Sequence, residues 1–469
     1  MLVMKFGGTS VECAESISRV AKIVRERLHR QPVVVVSALA RVTDQLHSMG
    51  ALSRDGRLDE SLQRLAQVEE RHSEVARALL PGSYRELLES TLCPSFDEAR
   101  ALLRAVSAIS EFTPRTLDRL LSFGERWSSL LVSESFRAQG ISAVLVDSCD
   151  VVVTDANHSH AAPLMDLIAE RVAGNVRPLV ESGGVPVMGG FIGATPEGTP
   201  TTLGRGGSDF TASIIGACLE AESIEIWTDV DGMMTADPRV CPDAQNIDSI
   251  SFEEAAELAH FGAKVLHPKT LQPAVERNIP VYVLNSRHPE NCGTRVDAVD
   301  TSDEPRVRSI ACKRGIVLAE VLASQGFDAK LTGSVFKALE EQKCLVDLAA
   351  MSRSNLSLLL GSKDSAAALA SSLPDVAEVK ITPDLALVSL VGRNVARDPV
   401  ITARAMNALP VAVRMIFHGA SDMNLSFVVE ARHADEAVGA LHRALFATPD
   451  VGERPPQFIS ASAVAVGEV

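Results

Sequence analysis

Short apolar runs rich in β-branched residues alternate with longer amphipathic segments from residue 1 to about residue 296. In chain order the runs are LVMKF, PVVVV, ISAVLV, VPVMGGF, SIEIWT and IPVYVLN. Val33 to Val36 is apolar at every position between Pro32 and Ser37, as expected of a strand that is covered on both faces. The alternation therefore predicts an α/β domain over 1–296, built on a mainly parallel sheet sandwiched by helices.

The pattern changes after this predicted domain. Residues 297–310 are polar, charged and interrupted by proline, which predicts a linker. A βαββαβ pattern follows over 311–382 and a similar one over 383–447, with NLSLLL in the first matched by NLSFVV in the second. This repeat predicts two α+β domains of the ferredoxin-like kind. The tail 448–469 is expected to be a final strand or a tether.

The net charge argues against one class of partner. At -15 the chain lacks the basic balance that binding to a nucleic-acid backbone requires, so no nucleic-acid partner is expected. An acidic protein can still hold a locally basic pocket for a small anion.

Cysteine usage and hydropathy bear on the compartment. The eight cysteines are scattered without a CxxC pair, which predicts reduced thiols in a cytoplasmic protein. No signal-like segment opens the chain, and no run approaches the roughly 20 apolar residues that span a bilayer. No association with a membrane is therefore expected.

The stretch KFGGTS places Lys5 beside Gly7 and Gly8 at the end of the first predicted strand. Glycines allow the backbone to turn sharply and to approach a ligand closely. The N–H groups of this turn, up to Ser10, would converge on one point and favour an anion. A tight turn without a ligand explains the same residues, so both interpretations stay open here.

The stretch TTLGRGGSD leads into an apolar helix. Ser208 and Asp209 stand where a helix N-cap belongs, so a capped helix entry is one interpretation. A ligand site is the other, because Arg205 is suited to bidentate binding of a carboxylate and the loop can close on a phosphate.

Two further stretches lie at the carboxyl ends of predicted elements, where α/β sheets bind ligands. WTDVDGMMTADPR contains Thr228, Asp229, Asp237 and Arg239, and FGAKVLHP contains Lys264. Polar turn residues and a surface lysine are the plainer interpretation of each stretch taken alone.

Two features carry little signal by themselves. Glu125, within SFGER, lies in the long helical region, where most glutamates are solvated. His158 and His160 would share a face only in an extended segment, so a metal site there is not expected.

Together and in this order, the motifs resemble the aspartate kinase family of the amino acid kinase superfamily. The matching stretches are KFGGTS, VVVVSA, SFGER, GGFIG, GRGGSD, TDVDG, DPR and GAKVLHP, followed by two ACT-type regulatory repeats. The resemblance covers about residues 1–446 and implies the amino acid kinase fold followed by two ferredoxin-like ACT domains. It also favours phosphate as the anion near Lys5.

The reaction that the resemblance implies is transfer of the γ-phosphoryl group of ATP, with Mg²⁺, to the β-carboxylate of L-aspartate. The product is 4-phospho-L-aspartate, at the first step of the pathway to lysine, threonine and methionine. A side-chain carboxylate with a reference pKa of about 3.9 is ionised at neutral pH and needs no general base. The enzyme's task is instead to hold mutually repelling anions in line.

Matching motif positions imply three sets of site residues. The catalytic set is Lys5, Asp209 and Lys264. The aspartate pocket is Ser37, Thr43, Glu125, Phe191, Arg205 and Ser208. ATP and its magnesium are held by Lys5, Gly7, Gly8, Ser10, Thr228, Asp229, Asp237, Arg239 and Lys264. In the pocket, Glu125 is expected to face the α-ammonium group and Arg205 a carboxylate.

The repeats imply regulation and assembly. An amino-acid effector, lysine or threonine, is expected at the ACT domains, with candidate contacts at Ser324, Val346, Asp347 and Ser352. Repeats of this kind bury strand edges across a subunit interface, so a homodimer or a dimer of dimers is expected.

The sequence departs from the family pattern at three places. Arg41 stands where members have a small residue such as glycine, which leaves the geometry of Ser37 and Thr43 open. The segment GFDAKLTGSVF is longer than usual. Arg353 stands near an acidic position of lysine-inhibited members, so weakened or replaced lysine inhibition is expected. The alternative functions are another kinase of the superfamily and a non-catalytic amino-acid sensor.

Overall fold

The computed structural model describes two large sheets, a two-stranded hairpin and the helices that pack on them. The described residues are 1–262, 266, 268–298, 304–324, 326–373, 377–419 and 421–446. Within these residues, no helix combines the length and the apolar character needed to cross a bilayer.

The first sheet is mainly parallel, and its strand order is β3-β4-β2-β1-β7-β9-β10-β8. The strands of this sheet and of a separate hairpin, β5-β6, are β1 (Leu2–Phe6), β2 (Pro32–Val36), β3 (Ala143–Val146), β4 (Val185–Gly189), β5 (Ile192–Ala194), β6 (Pro200–Thr202), β7 (Ser223–Thr228), β8 (Ser249–Ser251), β9 (Val281–Asn285) and β10 (Thr294–Asp297). Only β9 and β10 pair antiparallel within the described part of this sheet. The carboxyl ends of β1, β2 and β7 therefore meet at one edge.

Helices cover both faces of this sheet. They are α1 (Ala14–Glu26), α2 (Val42–Arg54), α3 (Leu58–Leu79), α4 (Gly82–Ile109), α5 (Pro114–Ala138), α6 (Ser148–Val151), α7 (Met165–Asn175), α8 (Arg177–Glu181), α9 (Gly207–Leu219), α10 (Phe252–His260) and α11 (Pro268–Glu276). Successive residues of β2 alternate between two apolar clusters, so that Val33 packs in one and Val34 in the other. The predicted α/β layer arrangement is confirmed.

Local sequence explains where the helix that matters most to the site begins. Thr113 accepts a hydrogen bond from the backbone N–H of Thr116, and Pro114 occupies the first position of α5. An N-cap threonine and a proline at the first helical position are both typical of helix starts. This start fixes the register in which α5 faces the sheet.

The second sheet is antiparallel, with strand order β12-β13-β11-β14-β16-β15. Its elements are β11 (Ser309–Leu322), α12 (Ala329–Glu341), β12 (Val346–Met351), β13 (Asn355–Leu360), α13 (Lys363–Ser372), β14 (Glu378–Val391), α14 (Pro399–Ala408), β15 (Met415–His418), β16 (Asn424–Glu430) and α15 (Ala434–Phe446). The expected βαββαβ order appears in the first repeat, and the α+β class of both repeats is confirmed.

Two long strands join the repeats in a way that the sequence pattern did not indicate. Ser309 to Arg314 pairs with Ala386 to Val391, so the start of β11 is a strand of the second repeat's sheet. The rest of β11 pairs with β13 and with the start of β14. The start of β14 pairs with the first repeat and its end with the second, so one strand, Glu378–Val391, continues from one repeat into the other. The predicted domain bounds and the tail 448–469, which lies outside the described residues, remain predictions.

Candidate active site

The glycine-rich turn after β1 is tied to the neighbouring strands. Gly7 donates its N–H to the carbonyl oxygen of Trp227 at 3.0 Å. A Cβ atom on Gly8 would lie 2.9 Å from the carbonyl oxygen of Ala38, which leaves no room for a side chain. The Ser10 hydroxyl is buried and lies 2.8 Å from the Ser286 hydroxyl. Ser10 thus holds the turn against the sheet through its side chain.

Lys5 is largely buried, and its ammonium group has one close anionic partner. Its Nζ atom lies 2.6 Å from Oδ1 of Asp209, which is in the first turn of α9. The first and second glycine-rich stretches therefore meet at an ion pair.

The start of α9 corrects the expectation of a Ser208 or Asp209 cap. The helix begins at Gly207 and its N-cap is Gly206, which has a left-handed φ of 73° and makes no side-chain cap. Ser208 instead accepts a hydrogen bond from the Ser37 hydroxyl at 3.0 Å. The helix starts from a glycine turn and not from a capping side chain. The side chains of Ser208 and Asp209 therefore lie at the edge of the sheet, next to Ser37 and Lys5.

Glu125 on α5 is 3% exposed and only partly satisfied. Its Oε1 atom accepts a hydrogen bond from the N–H of Ala38 at 3.2 Å, whereas Oε2 has no hydrogen-bond partner among the described residues. Burial raises the pKa of this carboxyl to about 8, against the lowering effect of that hydrogen bond. A buried carboxyl with a free oxygen is a candidate binding group for a cation.

These side chains surround one cavity of about 440 Å³. The residues that line it are Lys5, Ser37, Thr43, Leu117, Leu121, Glu125, Ser159, Phe191, Thr202, Gly204, Arg205, Gly206, Gly207, Ser208 and Asp209. The structure thus brings the whole predicted aspartate pocket together with Lys5 and Asp209. Lys5 and Arg205 supply positive charge and Glu125 supplies a carboxyl, which suits a ligand carrying both signs of charge.

The predicted nucleotide residues lie partly outside this cavity. Thr228 ends β7, next to β1, and its hydroxyl donates to Oδ1 of Asp229 at 3.3 Å. Asp237 and Arg239 form an exposed ion pair with an N–O distance of 2.6 Å, and the Arg239 hydrogen bond lowers the pKa of Asp237. Lys264 lies outside the described residues.

The predicted effector residues lie around the edge strand of the first repeat. Asp347 on β12 pairs with Lys313, with 2.5 Å between Nζ and Oδ1. The Ser352 hydroxyl accepts a hydrogen bond from the N–H of Asn355 at 3.1 Å. Val346 begins β12 and Ser324 follows β11.

Seven cavity residues were not among the predicted site residues: Leu117, Leu121, Ser159, Thr202, Gly204, Gly206 and Gly207. Leu121 precedes Glu125 by one helical turn of α5, and this spacing was the available signal. Thr202 and the three glycines lie within the TTLGRGGSD stretch, whereas Ser159 lies in a separate loop and no local pattern marks it.

Two family models match this chain. A family model described as the amino acid kinase family matches residues 1–285, and an ACT domain model matches residues 388–445. A chain that combines an amino acid kinase domain with an ACT domain belongs to the class of phosphotransferases with a regulatory region.

Full-length relatives narrow the class. Lysine-sensitive aspartokinase 3 of Escherichia coli is 35% identical over 460 residues, covering 95% of this chain and 99% of that protein. Its crystal structure with aspartate and ADP has a TM-score of 0.82 at 33% identity and covers 95% and 100% of the two chains. The structure with lysine and aspartate has a TM-score of 0.81 at 34% identity and covers 95% and 99%. The chain therefore belongs to the aspartokinases of the amino acid kinase family.

Proposed function

We propose that this chain transfers the γ-phosphoryl group of ATP to the β-carboxylate of L-aspartate, giving 4-phospho-L-aspartate for the pathway to lysine, threonine and methionine. The observation that carries the proposal is the unpartnered, buried Oε2 of Glu125 in the same cavity as Lys5 and Arg205. Aspartate carries one ammonium group and two carboxylates. The cavity offers the Glu125 carboxyl for the ammonium group and Arg205 for a carboxylate, while its second carboxyl, Asp209, pairs with Lys5.

The chemistry follows from this arrangement. The β-carboxylate is already ionised and attacks without a base, so the residues act by positioning and by charge. Glu125 binds the α-ammonium group and Arg205 a carboxylate, while Ser37, Thr43, Phe191 and Ser208 complete the pocket. Lys5, oriented by Asp209, neutralises charge on the transferring phosphoryl group.

ATP binds along the adjoining sheet edge in this proposal. Gly7 and Gly8 approach the phosphates with their backbone, and Ser10 fixes that turn. Thr228, Asp229, Asp237, Arg239 and Lys264 complete the nucleotide site. Mg²⁺ is usually bound through one or two carboxylates together with substrate phosphates and water. Within the described residues, no group of three or more His, Cys, Asp or Glu side chains is placed to hold a metal ion.

Regulation by an amino acid is part of the proposal. Lysine or threonine binds at the first repeat near Ser324, Val346, Asp347 and Ser352. The support is the relative named lysine-sensitive aspartokinase 3 and the lysine complex of E. coli aspartokinase III. Lysine inhibition is expected to be weak here, since Arg353 repels a lysine ammonium group.

Assembly as a homodimer or a dimer of dimers completes the proposal. The second sheet ends at β12 and β15, whose outer edges are unpaired within the described residues. Met351 and Ile416 on these strands are 53% and 44% exposed. Exposed apolar edge strands are suited to pairing between subunits.

The free cysteines fit a reducing compartment such as the cytoplasm.

The function is tested by ADP release with L-aspartate, L-glutamate or carbamate as acceptor, each repeated with lysine and with threonine. Aspartate-dependent ADP release, lost by about a hundredfold or more in Lys5→Ala and retained in Lys22→Ala, supports the proposal. Lys22 is an exposed lysine of α1 and serves as the matched control. Activity with another acceptor only, or activity unaffected by Lys5→Ala, would contradict it.

A further inference from the structure

A buried carboxylate next to the cavity has no role in the reaction as proposed. Asp118 lies on α5, two helical turns before Glu125, and its side chain is fully buried. Residues seven apart share one face of a helix, so the face of α5 that carries Glu125 also carries Asp118. A buried charge costs free energy unless it is paired and hydrogen-bonded, so its partners indicate what it does.

The partners of Asp118 come from one loop and from the end of one strand. The Thr202 hydroxyl, at the end of β6, donates to Oδ1 at 2.6 Å. The Ser159 N–H lies 3.1 Å from Oδ1 and 3.0 Å from Oδ2. Nδ1 of His158 lies 2.7 Å from Oδ2. One carboxylate thus binds the loop that contains Ser159 and the strand that leads into the Arg205 loop.

The loop that contains Ser159 and the loop that contains Arg205 both line the cavity and contact each other. Ser159 and Thr202 line it together with Arg205, which follows Thr202 by three residues. A Cβ atom on Gly204 would lie 2.8 Å from Nδ1 of His160, so the two loops are in close contact. Movement of either loop would therefore displace the other.

The Ser159 loop also needs an external tie. Ser159 has a φ of 71°, a left-handed conformation that a non-glycine residue adopts at a cost of about 1 kcal/mol or more. Such a conformation persists only where its surroundings hold it. Asp118 supplies that hold at the Ser159 N–H.

We propose that Asp118 is a positioning residue for the acceptor substrate: it fastens the Ser159 loop and the end of β6, and so sets where the Arg205 loop meets the substrate carboxylate. This inference rests on the proposed function for the identity of the substrate. The ordering of the two loops does not depend on the proposed function. Substrate positioning and loop ordering are therefore measured in separate experiments.

The test compares Asp118→Asn, Thr202→Val and Thr202→Ser with a matched control, Glu134→Gln. Glu134 is a buried carboxylate of the same helix that pairs with Arg137 and lies outside the cavity lining. In Asp118→Asn, KM for aspartate is expected to rise about tenfold or more, because an amide NH₂ group faces donors. Its kcat and its KM for ATP should change less than about threefold, as expected for lost positioning of one substrate alone.

Thr202→Val should raise KM for aspartate in the same direction, and Thr202→Ser, which keeps the hydroxyl, should restore it. If Asp118 had a merely structural role, the Asp118 and Thr202 variants would have a lower melting temperature and an unchanged KM for aspartate. That result would overturn the proposal. If Asp118→Asn does not fold, the two Thr202 variants decide the question alone.

Hydrogen–deuterium exchange on the same proteins measures loop order without turnover. Faster exchange in 155–162 and 202–206 of Asp118→Asn, absent in Glu134→Gln, supports the positioning role even if the wild type does not phosphorylate aspartate. That combination would contradict the proposed function and leave this inference standing. Unchanged exchange in both segments would overturn the inference.

Discussion

At the scale of single residues, Glu125 links pH to substrate binding. Burial raises the pKa of its carboxyl to about 8, so the group is mostly protonated at neutral pH in the empty pocket. An ammonium group binds the ionised carboxylate, so binding below that pKa must release a proton. KM for aspartate is therefore expected to fall as pH rises from 6 to 8, by up to about tenfold per pH unit.

Glu125→Gln is the matching variant, since its side chain cannot ionise. It should raise KM for aspartate and remove the pH dependence, while KM for ATP serves as the internal reference. The free energy of unfolding provides a second measurement, and the direction of its change with pH can be stated in advance. Because the folded-state pKa is raised, the wild type loses stability relative to Glu125→Gln as pH rises from about 4.5 to about 8. A wild-type KM for aspartate that is constant across this range would refute the assignment.

Arg41 adopts a backbone conformation that favours glycine. It precedes α2 with a left-handed φ of 71°, a conformation that glycine adopts without strain. We expect Arg41→Gly to raise the free energy of unfolding by about 0.5–1 kcal/mol, measured by chemical denaturation. Arg41→Ala is the control, because it removes the exposed side chain and keeps the Cβ atom. Equal stabilisation by both variants would show that backbone strain is not the cause.

At the scale of secondary-structure elements, the sequence predicts those features that depend on the local pattern of apolar and polar residues. The alternation of apolar runs with helical segments identifies β1, β2 and β7, and their shared edge follows from parallel pairing. The pairing of Ser309 to Arg314 with the second repeat was not predicted, because a strand pattern does not say which strand it will join. Gly315, with a φ of 76°, lies where the register of β11 against β14 shifts.

The same distinction applies to the site. Lys5, Arg205 and Asp209 lie in glycine-rich stretches, which mark close backbone approaches in the sequence itself. Asp118 lies in an ordinary helical pattern, and its partners are 40 or more residues away along the chain. Contacts at that separation have no local signature, so only the fold reveals them.

At the scale of the whole molecule, the second repeat packs on the segment that carries candidate nucleotide residues. Ala236 and Cys241, on either side of Asp237, belong to the apolar cluster of the second repeat. The Ser309 hydroxyl donates to the carbonyl oxygen of Met234 at 2.7 Å. Movement of the second repeat would therefore move Asp237, a residue of the proposed nucleotide site.

His442 on α15 tests this route. Its Nε2 atom lies 2.9 Å from the Thr235 hydroxyl, and its ring stacks on Phe446. His442→Ala removes both contacts, so we expect KM for ATP to rise about threefold to tenfold and KM for aspartate to stay within about twofold. Glu436→Ala, an exposed change on the same helix, should alter neither value. If His442→Ala raises both KM values equally, or neither, then the second repeat does not act on catalysis through this segment.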